Sequence, residues 1–295
     1  MTMSETILIT GAAGQLGRLV IDALQRRAPA AKLVGLVRDA AKAQDLAARG
    51  VELRVADYSD PQALARALVG VDKLLLISSS EVGQRTAQHR NVIEAAVAAG
   101  VKLIGYTSLL HADSSPMALA LEHRETEALI RASGLPFVLL RNGWYSENYA
   151  MGVAAALEHG VVLGAAADGA LSLAARRDYA EAAAVVMSDD VARHAGKVYE
   201  LAGDQAYTLA DFAAEISRQS GKPVRYQDLS EADYKAALIG VGLPEGFAAL
   251  LAESDAKAAQ GSLFEPGKAL SQLIGRPSTP LSETVAAALA AQSLS

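Results

Sequence analysis

A glycine-rich turn between an apolar strand and a helix dominates the start of the chain. The residues ILITGAAGQLG at 7–17 carry a G-x-x-G-x-x-G pattern, and the helical pattern LVIDALQRR follows directly. Gly11 permits a tight turn, Gly14 lets backbone N–H groups approach a pyrophosphate, and Gly17 lets the helix pack against the sheet. The N-terminus of that helix also favours an anion. Because a second strand, KLVGLVR, follows at 32–38, the turn predicts a bound dinucleotide rather than an ordinary glycine-rich connection.

Strand-like apolar runs alternate with helical segments through the first half of the chain. The runs are ILIT, KLVGLVR, VELRVADY, DKLLLIS, VKLIGYTS and FVLLRN. This alternation predicts an α/β fold with a Rossmann-type, doubly wound parallel sheet. The ligand crevice of such a sheet lies at the carboxyl ends of its strands, so we expect the chemistry just after these runs.

The elements become shorter after about residue 150. We predict an NAD(P)-binding domain over residues 1–150 and a smaller C-terminal α/β substrate lobe over 151–295, some of whose segments return to the main sheet. The segment GVVLGAAADGALSLAARRDYA predicts a strand pair followed by a helix with a salt-bridged start at Arg176, Arg177 and Asp178. Thr208 and Asp211 predict a capped helix start further on.

The composition limits the functions open to this chain. Its 295 residues are 51% hydrophobic and 20% charged, which is typical of a globular protein. A net charge of -6 argues against a nucleic-acid partner, and the absence of cysteine excludes disulfides, thiolate catalysis and iron–sulfur clusters. Redox chemistry would therefore need an organic cofactor. The five histidines form no H-E-x-x-H pattern, so we expect no metal site.

The N-terminal residues show no pattern of export or membrane insertion. MTMSETILIT lacks the basic region and the long apolar core of a secretory signal. No apolar run in the sequence reaches the length of a membrane span. We therefore expect a cytoplasmic protein without a membrane partner.

The end of the second strand indicates which dinucleotide is bound. An acid there pairs with the ribose diol of NADH, whereas a base accepts the 2′-phosphate of NADPH. The residue is Arg38, whose guanidinium suits a phosphate, and Lys42 lies one helical turn further on. This favours NADPH, but Asp39 leaves NADH open, and both cations also fit solvated loop residues. Asp57, after the third strand, fits either an adenine contact or a turn.

A catalytic pair common in short-chain dehydrogenases is absent. Those enzymes place a lysine four positions after a tyrosine, and the lysine lowers the pKa of the phenol. None of the nine tyrosines here has a lysine at that position. In LALEHRETEALI, aligning Glu127 with the acid that often follows the lysine puts Leu119 and His123 at the two positions. His123 is thus a candidate proton donor, with packing as the alternative interpretation.

Longer strings along the chain resemble one family. GAAGQLG, LLLISSSEVGQR, QHRNVIEAA, YTSLLHADSSP and LRNGWYSENY closely resemble the bacterial type-2 NAD(P)H:quinone oxidoreductases of the NmrA-like branch of the atypical short-chain dehydrogenases. YELAGD, LSEAD and the LIG near the C-terminus also fit, so the resemblance covers nearly the whole chain. It implies a monomer or a loose homo-oligomer that binds NADPH and reduces small aromatic quinones without the tyrosine–lysine pair.

The resemblance also implies the site residues. It places the dinucleotide clamp on the glycine turn, the 2′-phosphate at Arg38, and the nicotinamide near the serines after the fourth strand and the loop from Asn142 to Asn148. Together with Asp57, the expected cofactor residues are Gly11, Ala12, Ala13, Gly14, Gln15, Leu16, Arg38, Ser78, Ser79, Ser80, Asn142, Gly143, Trp144 and Tyr145.

A quinone acceptor is consistent with the missing pair, because hydride addition gives a stabilised hydroquinone anion and solvent can supply the last proton. Catalysis then rests on a near-attack geometry, aromatic walls and donors near the developing oxyanion. The candidate catalytic residues are Asn142, Tyr145, Ser80 and His123, and the candidate substrate residues are Trp144, Tyr145, Asn148 and His111. The alternatives are a packing anchor for Trp144, a strand end for Asn142 and a loop cap for His111.

Other functions on the same fold stay open. One is an NmrA-type regulator that senses dinucleotides through a protein partner, and another is a triphenylmethane-dye reductase. The strings SSSEVGQR and LLHADSSP favour quinone reduction over dye reduction. An epimerase or dehydratase is disfavoured because those reactions generally depend on the absent tyrosine.

Overall fold

This computed structural model describes residues 5–292 and contains the predicted Rossmann-type parallel sheet. In chain order, the strands are β1 (Thr6–Ile9), β2 (Lys32–Val37), β3 (Glu52–Val55), β4 (Lys73–Leu76), β5 (Leu103–Leu109), β6 (Phe137–Asn142), β7 (Val161–Gly164), β8 (Lys197–Leu201) and β9 (Arg225–Asp228). One sheet has seven strands in the order β3-β2-β1-β4-β5-β6-β8, and β7 pairs with β9 in another. The neighbours from β3 to β6 are all parallel.

The strand order reverses its direction at β1, because β2 lies on one side of it and β4 on the other. Ile7 on β1 aligns with Leu33 on β2 and with Lys73 on β4. Ligands of doubly wound sheets bind outside the carboxyl ends of the strands at such a switch point. The glycine turn follows β1 at this point, so the topology places it where a ligand is expected.

Short capping motifs in the sequence account for several helix starts. The helices are α1 (Gln15–Arg27), α2 (Gln44–Ala48), α3 (Pro61–Ala67), α4 (Arg85–Ala99), α5 (Ala120–Ala132), α6 (Ser146–Ala150), α7 (Val153–His159), α8 (Arg176–Ser188), α9 (Val191–His194), α10 (Leu209–Ser220), α11 (Glu231–Gly240), α12 (Glu245–Ala258), α13 (Ala269–Ile274) and α14 (Leu281–Gln292), and a 3₁₀ turn spans Ala40–Ala43. Asp60 caps α3, which begins with a proline. The predicted cap of α10 is confirmed as a reciprocal capping box between Thr208 and Asp211.

One face of the large sheet packs against α3 and α4. Leu74 and Leu76 on β4, and Ile104 and Tyr106 on β5, are two residues apart and therefore point to the same face. They pack in one buried cluster with side chains of the two helices, including Leu64, Val92 and Ile93. This packing fixes the strands whose carboxyl ends form the switch point.

The chain forms two compact units. The first comprises the residues up to Ala112, Leu121–Asn142 and Arg177–Tyr199, and the second comprises Asp113–Ala120, Gly143–Arg176 and the residues from Glu200 onward. The sequence predicts a single boundary at residue 150, but the units are interleaved. Residues 177–199 of the second half belong to the first unit.

The strand pair predicted after residue 160 is wrong. Only β7 is a strand there, and it pairs with β9 rather than with the residues that follow it. Side chains bind the next backbone N–H groups: Asp255 accepts from Ala165, and the Tyr226 hydroxyl accepts from Ala166. Because these N–H groups are already bonded to side chains, they cannot join a ladder with a neighbouring strand.

Candidate dinucleotide and substrate site

A cavity of about 480 Å³ opens in the first unit at the switch point of the sheet. Pockets for small molecules and cofactors have volumes of roughly 300–1,000 Å³. The glycine turn and the ends of β2, β3 and β4 supply most of the lining. Of the predicted cofactor residues, the cavity brings together Gly11, Ala13, Gly14, Gln15, Leu16, Arg38, Asp57, Ser78, Ser79 and Ser80.

The three glycines of the turn meet different backbone constraints. Gly11 has φ of +57°, in the left-handed region that favours glycine. A Cβ on Gly17 would lie 2.4 Å from the Gly11 carbonyl oxygen and 2.8 Å from the Ala12 Cα, and one on Gly14 would lie 3.1 Å from the same oxygen. The turn therefore brings its backbone against the start of α1. The first N–H groups of that helix have no intrahelical acceptor, so they can bind a pyrophosphate.

Ala12 does not line the cavity, contrary to the prediction for this residue. Its side chain is fully buried, and a Cβ on Gly35 of β2 would lie 3.0 Å from the Ala12 Cβ. Its N–H donates to the Leu36 carbonyl at 3.3 Å. Ala12 therefore joins the turn to β2 and has no free N–H group for a phosphate.

The end of β2 presents cations to the cavity. Arg38 and Lys42 both line it, and Arg38 Nη1 lies 2.7 Å from Glu81 Oε1 in an exposed ion pair. Asp39 Oδ1 accepts a hydrogen bond from the Ala41 N–H at 2.9 Å and caps the 3₁₀ turn. Asp39, the acid that would pair with the ribose of NADH, is thus bound to the backbone. The donors Arg38 and Lys42 suit a 2′-phosphate.

Other residues around the cavity were less evident from the sequence. Asp57 lines the cavity and also forms a turn, because its Oδ1 accepts from the Ser59 N–H at 2.8 Å. Glu81 and Gln88 line it as well, although the sequence reasoning assigned them no role. Glu81 directly follows the three serines, and Gln88 lies in the first turn of α4. Their positions next to the serine loop in the sequence could have predicted that they line the cavity.

His123 lies in the buried interior of the first unit and does not line the cavity. Its Nδ1 is 2.7 Å from the Tyr106 hydroxyl. Burial holds the pKa of His123 well below its ordinary value of 6.5, so the ring is neutral. This environment supports the packing interpretation and gives no route for proton donation into the cavity.

Asn142 ends β6 in the first unit and is buried, but it does not line the cavity. Its backbone carbonyl accepts from the Leu110 N–H at 2.9 Å. Its side-chain oxygen, Oδ1, has no hydrogen-bond partner among the described residues. Buried polar atoms in proteins normally have a partner, so this oxygen is suited to a donor from a ligand.

Arg176 organises the predicted substrate segment, which lies in the second unit from Gly143 to Asn148. Its guanidinium lies 4.6 Å from the centre of the Tyr145 ring, and its Nη2 donates to Asn148 Oδ1 at 3.4 Å. Its backbone N–H donates to the Glu147 carboxylate at 3.0 Å. Arg176 thus joins the start of α8 to this segment, a role that the salt-bridge expectation did not include.

The other predicted residues of that region have distinct environments. The Gly143 N–H donates to the Leu201 carbonyl at 2.7 Å. Trp144 is buried, and its carbonyl accepts from the Ala174 N–H at 3.3 Å, as expected for a packing anchor. His111, in the first unit just after β5, has φ of +52°, a conformation that is uncommon for residues other than glycine.

Residues 5–292 contain neither a helix suited to cross a membrane nor a cluster suited to hold a metal ion. No helix in this range combines the length and the apolar character that a membrane crossing requires. Nor does the same range contain a cluster of three or more acidic or histidine side chains that could hold a metal ion.

The chain belongs to the NmrA-like family, whose model matches residues 3–287. Quinone oxidoreductase 2 of Escherichia coli (strain K12) is 62% identical to it over 279 residues, which are 95% of this chain and 97% of that protein. The crystal structure of the NADPH-dependent quinone oxidoreductase of Escherichia coli in complex with NADPH is similar with a TM-score of 0.93 and 61% identity, covering 96% of this chain and 99% of that one. Triphenylmethane reductase of Citrobacter sp. in complex with NADP(H) is similar with a TM-score of 0.92 and 38% identity, covering 96% and 99%. The family resemblance of the sequence strings is confirmed.

Proposed function

We propose that this protein is an NADPH-dependent quinone oxidoreductase. The observation that carries the proposal is the cavity of the first unit, which the glycine turn and the cations Arg38 and Lys42 line together. Its close relative with this architecture is an NADPH-dependent quinone oxidoreductase, similar over almost the full length of both chains. Fold alone would not assign a reaction, but the site and this identity point to the same one.

The residues of the cavity suit the cofactor. The first N–H groups of α1 bind the pyrophosphate, and the glycines let it approach the backbone. Arg38 and Lys42 bind the 2′-phosphate, and Asp57 binds the adenine. Asn142 does not line the cavity, but its buried Oδ1 is an acceptor without a described partner, so it suits an amide donor such as the nicotinamide carboxamide better than a quinone oxyanion, which cannot donate.

The protein's part in the reaction is to hold the two reactants in position for hydride transfer. When bound, NADPH supplies a hydride from the C4 atom of its nicotinamide ring. The quinone accepts this hydride, and a proton from solvent completes the hydroquinone. We retain Ser80 and Asn148 as candidate donors to the developing oxyanion, Trp144 and Tyr145 as candidate aromatic walls, and His111 as a candidate substrate residue.

The test is a spectrophotometric assay of purified protein with NADPH and a benzoquinone or naphthoquinone. We expect the absorbance band of the reduced nicotinamide to fall only when quinone is present, and to fall faster with NADPH than with NADH. A triphenylmethane dye replaces the quinone in a parallel reaction, which identifies a dye reductase. If the protein binds NADPH but oxidises it with neither acceptor, the enzyme proposal fails.

The regulator alternative has its own test. An affinity pull-down with and without NADP identifies a protein partner whose binding depends on the dinucleotide. Together with absent turnover, such a partner would replace the enzyme proposal by a sensing function. The cytoplasmic location, a homo-oligomeric state and the absence of nucleic-acid and membrane partners stay predictions from the sequence.

A further inference from the structure

Three side chains of α4 bind every polar group of Ser79. The Arg85 Nε donates to the Ser79 carbonyl at 2.7 Å, and the Ser79 hydroxyl donates to Gln88 Oε1 at 2.6 Å. The Ser79 N–H donates to His89 Nε2 at 2.9 Å. The spacing of 85, 88 and 89 puts the three side chains on one face of the helix. We call this set the Ser79 clamp.

His89 can act in this clamp only as a neutral acceptor. Because Nε2 accepts from the Ser79 N–H, the ring proton is on Nδ1, which lies 2.9 Å from Thr126 Oγ1. The Thr126 hydroxyl in turn donates to the Glu122 carbonyl at 2.8 Å. Burial, with the charge of Arg85, lowers the pKa of His89 to about 3, so the acceptor is present across the neutral range.

The clamp determines which atoms of the serine loop face the cavity. Ser79 lines the cavity, but its hydroxyl, N–H and carbonyl are all bound by α4. Ser78 and Ser80, on either side, also line the cavity and take no part in the clamp. Gln88 extends the network, because its Nε2 donates to Glu81 Oε2 at 2.8 Å.

We propose that Arg85, Gln88 and His89 are positioning residues that hold the loop from Ser78 to Glu81 in the geometry that binds NADPH. The Ser79 hydroxyl is then part of the scaffold and not a cofactor ligand. The proposal rests on the proposed function only in taking NADPH as the ligand of the cavity. It concerns affinity for the cofactor and makes no claim about the acceptor that is reduced.

The test compares two substitutions of His89 by direct titration of NADPH. His89→Gln places an acceptor oxygen near the position of Nε2, whereas Asn reaches only the position of Nδ1. Leaving the Ser79 N–H without an acceptor releases the loop, so we expect His89→Asn to raise the Kd for NADPH about tenfold. With the acceptor restored, His89→Gln is expected to stay within about twofold of the wild type.

Further variants separate positioning from direct contact and from general destabilisation. Ser79→Ala keeps the N–H and carbonyl contacts but loses the bonds of the hydroxyl to Gln88 and to the Glu81 N–H, so we expect a smaller rise in the Kd than for His89→Asn, less than about threefold. Thr126→Val removes the partner of His89 Nδ1 without touching the loop, and we expect a milder loss in the same direction as His89→Asn. His194→Asn, at another buried histidine of the first unit, is the control and is expected to leave the Kd unchanged.

Each outcome bears on the clamp. A Ser79→Ala protein that binds NADPH more weakly than His89→Asn would show that the hydroxyl matters more than the anchoring at His89 and would overturn the proposal. The proposal would also be overturned if His89→Gln raised the Kd for NADPH as much as His89→Asn does. The same holds if the control His194→Asn raised it as much. If His89→Asn does not fold, Thr126→Val decides the question, because a Kd for NADPH equal to that of the wild type would then overturn the proposal. A protein that binds NADPH in this pattern but reduces no quinone leaves the clamp intact and refutes only the proposed function.

Discussion

His89 in the first unit and Asp255 in the second are both buried, and burial drives each side chain towards its uncharged form. For the base, burial lowers the pKa to about 3, and for the acid, it raises the pKa to about 6. At neutral pH, His89 is therefore uncharged and Asp255 is charged. Burial thus keeps His89 neutral, whereas it raises the pKa of Asp255 too little to keep that side chain protonated at neutral pH.

The two groups also hold different parts of the chain. His89 accepts from the backbone of the serine loop at the cavity. Asp255 accepts from the Tyr149 hydroxyl at 2.7 Å and from the Ala165 N–H at 3.1 Å, and so joins α12 to α6 and to the end of β7. The serine loop at the cavity thus depends partly on a neutral buried acceptor, whereas the second unit relies on a carboxylate whose burial costs stability. We expect substitutions and pH to affect the two units differently.

The largest expected effect is that of Gly17→Ala, which tests the rigidity of the cavity backbone. The new Cβ would overlap the Gly11 carbonyl, so the turn must shift and the helix start must leave the pyrophosphate position. We expect the Kd for NADPH to rise more than about a hundredfold and the free energy of unfolding to fall by about 1–3 kcal/mol. Calorimetric titration and urea unfolding measure the two effects.

The matched control is Gly246→Ala in α12 of the second unit. No atom lies within 4 Å of a Cβ at this position, and the residue is helical. The substitution is expected to raise the free energy of unfolding by up to about 1 kcal/mol, through helix propensity. If Gly17→Ala bound NADPH as tightly as the wild type, the close packing of the turn against α1 would not be needed for cofactor binding.

The next effect concerns pH, and Asp255→Asn isolates it. Because the folded pKa of about 6 lies above the ordinary 3.8, the folded state binds the proton more tightly, and stability falls as pH rises between these values. This loss amounts to at most about 3 kcal/mol. We expect the stability of Asp255→Asn relative to wild type to increase from pH 4 to about pH 6.5 and then to level off.

Urea unfolding at a series of pH values measures that difference. A constant offset between the proteins is expected as well, since an amide cannot accept both hydrogen bonds of the carboxylate. The folded pKa of His89 lies below 6.5, so this group makes wild-type stability rise with pH between about 3 and 6.5. The stability of His89→Gln relative to wild type is therefore expected to fall over that range. Parallel pH profiles for the two variants would remove the contrast between the units.

Arg38→Ala tests the charged part of the cavity. Hydrogen bonds to charged groups contribute about 1.5–3 kcal/mol, so we expect the Kd for NADPH to rise about 10- to 100-fold. The Kd for NADH, which lacks the 2′-phosphate, is expected to stay the same. Titration of both dinucleotides checks this, and equal losses for the two would place Arg38 outside the 2′-phosphate site.

The smallest effect is expected for Arg176→Lys in the second unit. Lysine keeps the charge but loses the planar group that lies over the Tyr145 ring and reaches Asn148. We expect the KM for quinone to rise about two- to fivefold, as for a contact of about 0.5–1 kcal/mol. Steady-state kinetics and NADPH titration together test it, since the Kd for NADPH should not change. A change in that Kd alone would argue against a substrate role for the segment.

The sequence predicts the first unit better than the second because its signals there are periodic and local. Apolar runs give the strands of the large sheet, and the glycine spacing gives the turn and the helix start. Arg38 is predictable because it lies at a fixed place, the end of the second strand. The packing of Ala12 towards β2 is less visible, because the residues between the glycines look alike in sequence and differ only in the direction that the turn gives them.

Other features depend on contacts between residues far apart in the chain. Arg85, Gln88 and His89 form a polar stripe on α4, and such a stripe usually faces solvent. Here it faces Ser79, whose position depends on the packing of β4. Asp255 lies in an alanine-rich helix with no motif around it, and its partners Tyr149 and Ala165 are 106 and 90 residues away in the chain. No local pattern could reveal these contacts.

With Arg38 in its proposed role at the 2′-phosphate, the ion pair between Arg38 and Glu81 makes cofactor selection an exchange of counter-ions. A 2′-phosphate arriving at Arg38 meets a guanidinium that a carboxylate already balances. The preference for the phosphorylated dinucleotide then depends on how much more strongly the guanidinium binds the 2′-phosphate, a dianion, than the Glu81 carboxylate, a monoanion. Because the second pKa of a phosphate monoester is about 6, this advantage shrinks in acid, where the phosphate carries a single charge like its competitor. Discrimination between the two dinucleotides is therefore set by the bound anion's own ionisation as well as by the protein.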